Sequence, residues 1–186
     1  MDSFDNIKKQ ALAKKDKSKK QSFDKKIIKL LKIINSKKDY FTTSSCAGRI
    51  SLIKFGKNKP ETRWIFVTHE KTSARELSEY LKVLPDGKVY FKQEAFILHI
   101  ACRSIENAHQ LLVSTDAVRR KGMRSIKNKI VVELVGSSHF ETIISKNGKL
   151  LIDRNYLKHL VAEANSRLAQ NWKKIKALEK RLAEAL

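Results

Sequence analysis

No glycine or proline interrupts residues 153–186, and one apolar stripe runs through them: Leu157, Val161, Ala164, Leu168, Trp172, Ile175, Leu178 and Leu182. Steps of three and four residues put these side chains on one helical face. Asp153 is suited to capping the first turn. A continuous helix over this span is ~50 Å long at about 1.5 Å per residue, longer than the core of a small domain. Its far end is therefore expected to project, or to meet another chain.

The rest of the chain is cut into short pieces. SFDKKIIKLLKIINSK (22–37) carries Ile27, Leu31 and Ile34 on one helical stripe, with Ser22 and Asp24 suited to its first turn. ISLIKF (50–55) and RWIFVTH (63–69) read as strands around a turn with Gly56, Asn58 and Pro60. Ser73 followed by Glu76 has capping-box spacing, which predicts a helix over 73–84 ending near Pro85. KVYFKQEAFILHIACR (88–103) is two strands or one bent strand, and Ser104 caps a helix to about 120. KIVVELVG (129–136) and HFETIIS (139–145) are strands, and Asn147-Gly148 is a hairpin turn into LLI (150–152). The order αββαββαβββα predicts an α+β fold: mixed, largely antiparallel sheets with packed helices and a long C-terminal helix. A length of 186 residues suits a single domain over 1–186, with a basic helical N-terminal segment 1–39 and the long helix 153–186.

Charge narrows the class of partner. Forty basic residues stand against nineteen acidic ones, a net charge of +21. A field of that sign favours a polyanion, most simply nucleic acid; a lysine-rich solubilising surface and an anionic membrane are the alternatives. Residues 8–38 hold thirteen lysines and no arginine, and 14–22 reads as a solvated segment between two helical stretches. No apolar run reaches the ~20 residues that span a bilayer, and the N-terminus lacks a signal peptide's apolar core. Cys46 and Cys102 are too few for a disulfide framework, so a cytoplasmic location with reduced thiols is expected.

The densest collection of small polar groups is TyrPheThrThrSerSerCysAlaGlyArgIle at 40–50, read as a loop that holds a ligand or as a capped turn. Closely spaced glycines of the dinucleotide or P-loop kind are absent, which argues against a Rossmann cofactor site. His99 and Cys102 are three apart in a strand and so face opposite ways; Cys102 is a core residue and a shared metal is not expected. His69 shares a face with Ile65 and Val67, and both it and His99 read as half-buried. Cys46 is a pocket-lining residue before it is a nucleophile, since nothing brings a base to it. Glu94 is a solvated turn residue or an acceptor for a substrate N–H or an arginine. Gly122 is read as a helix C-cap after Arg119, Arg120 and Lys121, a cluster that offsets the helix dipole or binds phosphate.

DKSKKQSFD (16–24), YFTTSSCAGRI (40–50), Trp64 to His69, FKQEAFILHIACR (91–103), GMRS (122–125) and Asn165 occur in one order. Together they resemble the wybutosine-synthesis N-methyltransferase family, the tRNA wybutosine-synthesizing protein 3 family, in its archaeal form. The resemblance spans nearly the whole chain, and its specific blocks are TTSSC-x-GRI and FK-x-E-x-FILH. Ala47 stands where a serine is commoner, and the glycine after Ser125 is missing. The resemblance implies methyl transfer from S-adenosylmethionine to the N4 ring nitrogen of a tricyclic guanine derivative 3′ of the anticodon of phenylalanine tRNA. It implies a non-Rossmann cofactor pocket that draws on Ser44, Ser45, Cys46, Gly48 and Arg49. Glu94, His99 and His69 are then candidates for handling the departing proton. Arg124, Ser125, Arg120 and Lys121 are candidates for substrate binding. Trp64, Tyr40 and Phe41 are either stacking partners for the base or core residues. No metal is required. A non-catalytic tRNA-binding or accessory module is the alternative, and an interaction protein built on the final helix, as a homo-oligomer, is a third reading.

Overall fold

The computed structural model describes residues 3–13, 23–58, 61–115, 118, 120–126 and 129–186, with only the backbone of Ser125 and Ile126. The lysine-rich stretch 14–22, Ser22 and Arg119 therefore lie outside the described residues. The chain forms two compact units, residues 1–47, 96–137 and 172–186 in one and 48–95 and 138–171 in the other.

The first unit holds α1 (Ser3–Ala13), α2 (Ile28–Ser36), β1 (Tyr40–Cys46), β5 (Ile97–Cys102), α4 (Ile105–Ser114), β6 (Arg120–Ile126) and β7 (Lys129–Val135). Its four strands form an antiparallel sheet in the order β1-β5-β7-β6. On one face Ile27, Leu30 and Ile34 of the α2 region pack with Phe96, Leu98, Ile100, Leu134 and Leu111. On the other, Phe41, Ala101 and Val131 form a smaller cluster under Phe4, Ile7 and Ala11 of α1. Arg103 ties α1 down: it bonds the Asp5 carboxylate and donates to Asp39 Oδ1 at 2.6 Å, with its guanidinium 4.6 Å from the centre of the Phe4 ring.

The second unit holds β2 (Arg49–Lys54), β3 (Arg63–Thr68), α3 (Ala74–Tyr80), β4 (Lys88–Glu94), β8 (Phe140–Lys146) and β9 (Lys149–Leu150). These strands form an antiparallel sheet in the order β3-β2-β4-β8-β9. Local chemistry sets the expected boundaries: Ser73 Oγ accepts from Glu76 N at 3.1 Å, and Asn147 and Gly148 turn the β8–β9 hairpin with φ of 50° and 74°. The long helix α5 (Arg154–Ala185) gives residues 154–171 to this unit and 172–185 to the first.

Five expectations are corrected. The run at 40–46 is a strand, β1, with Tyr40 and Phe41 buried in the core and not free to stack on a base. Residues 120–126 are a strand too, so α4 stops at Ser114 and Gly122 is a strand residue, not a helix cap. Asp24 precedes α2 and serves a distant partner, accepting from Ala47 N at 2.8 Å. His69 lies just beyond the end of β3. The far end of α5 does not project: Ile175, Leu178 and Leu182 are buried in the core of the first unit. The α+β class and antiparallel pairing are as expected.

Candidate functional site

The first unit contains a polar line across its sheet. Pairing places Ser44 opposite His99, His99 opposite Glu133, and Glu133 opposite Gly122, one residue from each strand. A register shift between Thr42 and Ser44 creates this arrangement, because the extra residue of a bulge changes which side chains share a face. Ser44 Oγ lies 2.8 Å from His99 Nδ1, and His99 Nε2 lies 2.8 Å from Glu133 Oε2. Arg124, on the edge strand, donates to Glu133 Oε1 at 2.9 Å. The His99 hydrogen bond, and then the charge of Arg124, hold the Glu133 carboxyl below the usual carboxylate range against a burial effect that raises it. The next row on the same face is Phe41, Ala101 and Val131. The polar line thus borders an apolar cluster.

The neighbouring candidates in this unit have varied surroundings. Ser45 and Cys46 end β1 half-buried, and Ala47 follows with its amide fixed by Asp24. Arg120 is exposed, whereas Lys121 Nζ donates to the Leu112 carbonyl at 2.5 Å, neutralising the negative end of α4. Cys102 is buried, and burial pushes its thiol up to about 12. A separate hollow of about 280 Å³ has walls of Phe96, Val118, Val135 and Leu178, with Lys174 and Arg181 at its edge.

The second unit contains the other grouping. Arg49 opens β2 and Glu94 closes β4, and the two face each other across the β2–β4 pair. The guanidinium binds the carboxylate with two nitrogens: Nε bonds Oε2, and an N–H reaches Oε1 at 3.1 Å. The same guanidinium lies 4.6 Å from the centre of the Trp64 ring. Trp64 keeps 39% of its surface exposed. Gly48 has φ +96°, and a Cβ there would sit 2.9 Å from the Glu94 carbonyl and 3.0 Å from Leu168. The close approach that only glycine permits here is to Glu94 and Leu168. Asn165 fixes the segment before α3, accepting from Thr72 N at 3.0 Å and donating to its carbonyl at 2.8 Å.

Of the residues singled out from the sequence, Ser44, His99 and Arg124 are therefore joined in one network, and Gly48, Arg49 and Glu94 in another. Ser45, Cys46, Arg120 and Lys121 belong to the first unit and His69 to the second, outside those networks as described. Glu133 is the member of the first network that sequence reasoning misses. A signal for it is present: a lone carboxylate between Val131 and Val135 on one face of a strand whose other residues from Ile130 on are apolar.

Two antiparallel sheets without a glycine-rich nucleotide turn, one crossed by a serine–histidine–carboxylate line, define a mixed α+β protein outside the doubly wound cofactor folds. The chain belongs to the methyltransferase TYW3 family, whose model matches residues 4–184. A relative from Danio rerio, the tRNA wybutosine-synthesizing protein 3 homolog, is 35% identical over all of this chain and 76% of its own length. A Pyrococcus horikoshii relative, tRNA(Phe) 7-((3-amino-3-carboxypropyl)-4-demethylwyosine(37)-N(4))-methyltransferase 1, is 32% identical over 97% of this chain and 95% of its own. The solved structure of the PH1069 protein from Pyrococcus horikoshii superposes with a TM-score of 0.89 at 30% identity, covering 98% of this chain and 95% of that one.

Proposed function

We propose that this chain is a tRNA methyltransferase that uses S-adenosylmethionine to methylate the N4 ring nitrogen of a wyosine-type tricyclic guanine derivative 3′ of the phenylalanine anticodon. Support comes from the full-length family match and from the activity named for the Pyrococcus relatives. The observation that carries the chemistry is the Ser44–His99–Glu133 line, a proton acceptor braced by a carboxylate. A ring nitrogen that gains a methyl group must lose a proton, and an imidazole suits that task near neutral pH. Glu94 is the weaker candidate, because Arg49 already engages both of its oxygens.

S-adenosylmethionine, when bound, supplies an electrophilic methyl group on a sulfonium. The edge made by Ser44, Ser45 and Cys46 bears hydroxyls and a thiol and no cationic side chain, a donor set that does not repel a sulfonium. Those three residues would hold it; Arg49, with its fork committed to Glu94, acts in this reading by bracing that carboxylate. Ser44 and His99 accept the proton, and Arg120 faces solvent, where it can meet phosphate.

The decisive experiment is mass spectrometry of phenylalanine tRNA carrying the unmethylated tricyclic base, incubated with the protein and S-adenosylmethionine. One methyl group gained on that base is expected. An unchanged base, with tRNA still bound, would leave the chain as a tRNA-binding accessory module, which the net charge of +21 also suits.

A further inference from the structure

The polar line contains a choice of tautomer. An ionised carboxylate only accepts hydrogen bonds, so Glu133 Oε2 requires a proton on His99 Nε2. A neutral ring with its proton there has its lone pair on Nδ1, 2.8 Å from Ser44 Oγ. Ser44 then donates, and His99 stands ready to take a proton through it. Arg124 supports the same choice, because its N–H holds Glu133 Oε1 and so presents Oε2 to the ring. The His99 and Glu133 side chains are each about 20% exposed, which limits water as a substitute partner, whereas Arg124 reaches them from the outside at 62%.

We infer that Glu133 is a positioning residue of the methyl-transfer site, fixing His99 in the Nε2–H tautomer so that Nδ1 takes the proton of Ser44, with Arg124 orienting the Glu133 side chain. This inference rests on the methyltransferase reading. In the step it serves, the substrate nitrogen bonds the methyl carbon as the carbon–sulfur bond breaks, and that electron pair stays on sulfur. The proton on the substrate nitrogen passes to Ser44 Oγ, and the proton of Ser44 passes to His99 Nδ1. The imidazolium so formed is stabilised by Glu133 and later releases its proton to solvent.

The arrangement makes Glu133→Gln an informative change. An amide has one accepting end and one donating end. Arg124 offers only donors, so it captures the amide oxygen and turns the NH2 group towards His99 Nε2. The ring must then accept at Nε2 and carry its proton on Nδ1, the reverse of the native state. Adding Arg124→Met removes that constraint, and the amide can rotate its oxygen back to the ring. Arg124→Met alone keeps the carboxylate and therefore the native tautomer.

The test is nitrogen NMR of ring-labelled histidine in the full chain, paired with steady-state methyl transfer. Wild type and Arg124→Met are expected to show His99 with its proton on Nε2, Glu133→Gln the reverse, and the double variant the native tautomer again. The kcat of Glu133→Gln should fall about 100-fold, the lower end of what a positioned base contributes, with KM for tRNA little changed. The double variant should recover about tenfold of that loss, since a general-base contribution depends on the correct protonated form. An unchanged tautomer in Glu133→Gln, or an equal loss of kcat in a double variant whose tautomer is restored, overturns the inference. Wild-type protein that fails to methylate refutes the methyltransferase reading instead, and the ring signals still decide whether Glu133 sets the tautomer.

Discussion

At Gly48 a single hydrogen substitutes for a side chain because two neighbours fill the space. The backbone has φ +96°, and the Glu94 carbonyl and Leu168 stand 2.9 and 3.0 Å from where a Cβ would lie. Gly48→Ala combines a strained backbone with a steric clash, and is expected to cost about 2–4 kcal/mol, the sum of a left-handed residue and local overpacking. A urea midpoint at the wild-type value would refute this. Cys102 tests the core in another way. Its neutral thiol is favoured by burial, which pushes its pKa up to about 12. A raised acid pKa makes the native state hold its proton longer than the unfolded chain. Stability from this group is therefore complete below the unfolded thiol pKa of about 8.5 and declines as pH rises towards 12. Thiol reagents should modify half-buried Cys46 in the native protein and reach Cys102 only on unfolding; equal native labelling of both would contradict the burial. Opposite faces for His99 and Cys102 follow from strand alternation alone, and the sequence supports them. That Ser44 reaches the His99 ring, while Thr43 reaches only its carbonyl, depends on a bulge and on pairing with a strand more than fifty residues away, which no local pattern encodes.

Elements differ in how openly their sequences declare them. The central strands β5 and β7 are apolar runs, and α3, α4 and α5 begin at side-chain caps on Ser73, Ser104 and Asp153. The strands that local pattern hides, β1 and β6, are the two edges of the four-stranded sheet. An edge strand is only half enclosed, so TTSSC and RKGMR satisfy it with hydroxyls and charges that also discourage pairing with other chains. Polarity that reads as a loop is here a protected edge. Helix length misleads in the opposite direction. α5 is long because residues 154–171 and 172–185 serve different units, and Ile175, Leu178 and Leu182 are buried in the core. Leu182→Ala is therefore expected to cost about 2–5 kcal/mol. Removing residues 172–186 should abolish cooperative unfolding of the first unit, read by circular dichroism and by loss of the α2 amide protection. A truncated chain that melts like wild type would return the far end of α5 to the role of a projection.

Across the whole molecule the charge is unevenly divided. The first unit has 25 basic and 10 acidic residues, net +15, and the second has 15 basic and 9 acidic, net +6. If phosphate binding follows that field, the salt dependence of tRNA binding originates mainly in the first unit. Lys173, Lys176 and Lys180 stand exposed on the part of α5 that belongs to it, while Lys146, Lys149 and Lys158 are exposed in the second unit. Every lysine that no longer neutralises a phosphate lowers the slope of log K against log salt by about 1. Changing the first three lysines to glutamine should therefore reduce the slope by about 2–3, and changing the second three should alter it by less than about 1. Both variants remove the same formal charge, so a general loss of net charge would shift them equally. Filter binding of phenylalanine tRNA from 50 to about 300 mM salt, a range over which such slopes are steep, separates the cases. Equal slopes in the two variants would mean that tRNA responds to the molecule's total charge and not to its distribution, and that α5 carries no docking surface. A larger effect from the second set would move the docking surface to the second unit, where Trp64 and the Arg49–Glu94 pair already offer an exposed ring beside charge.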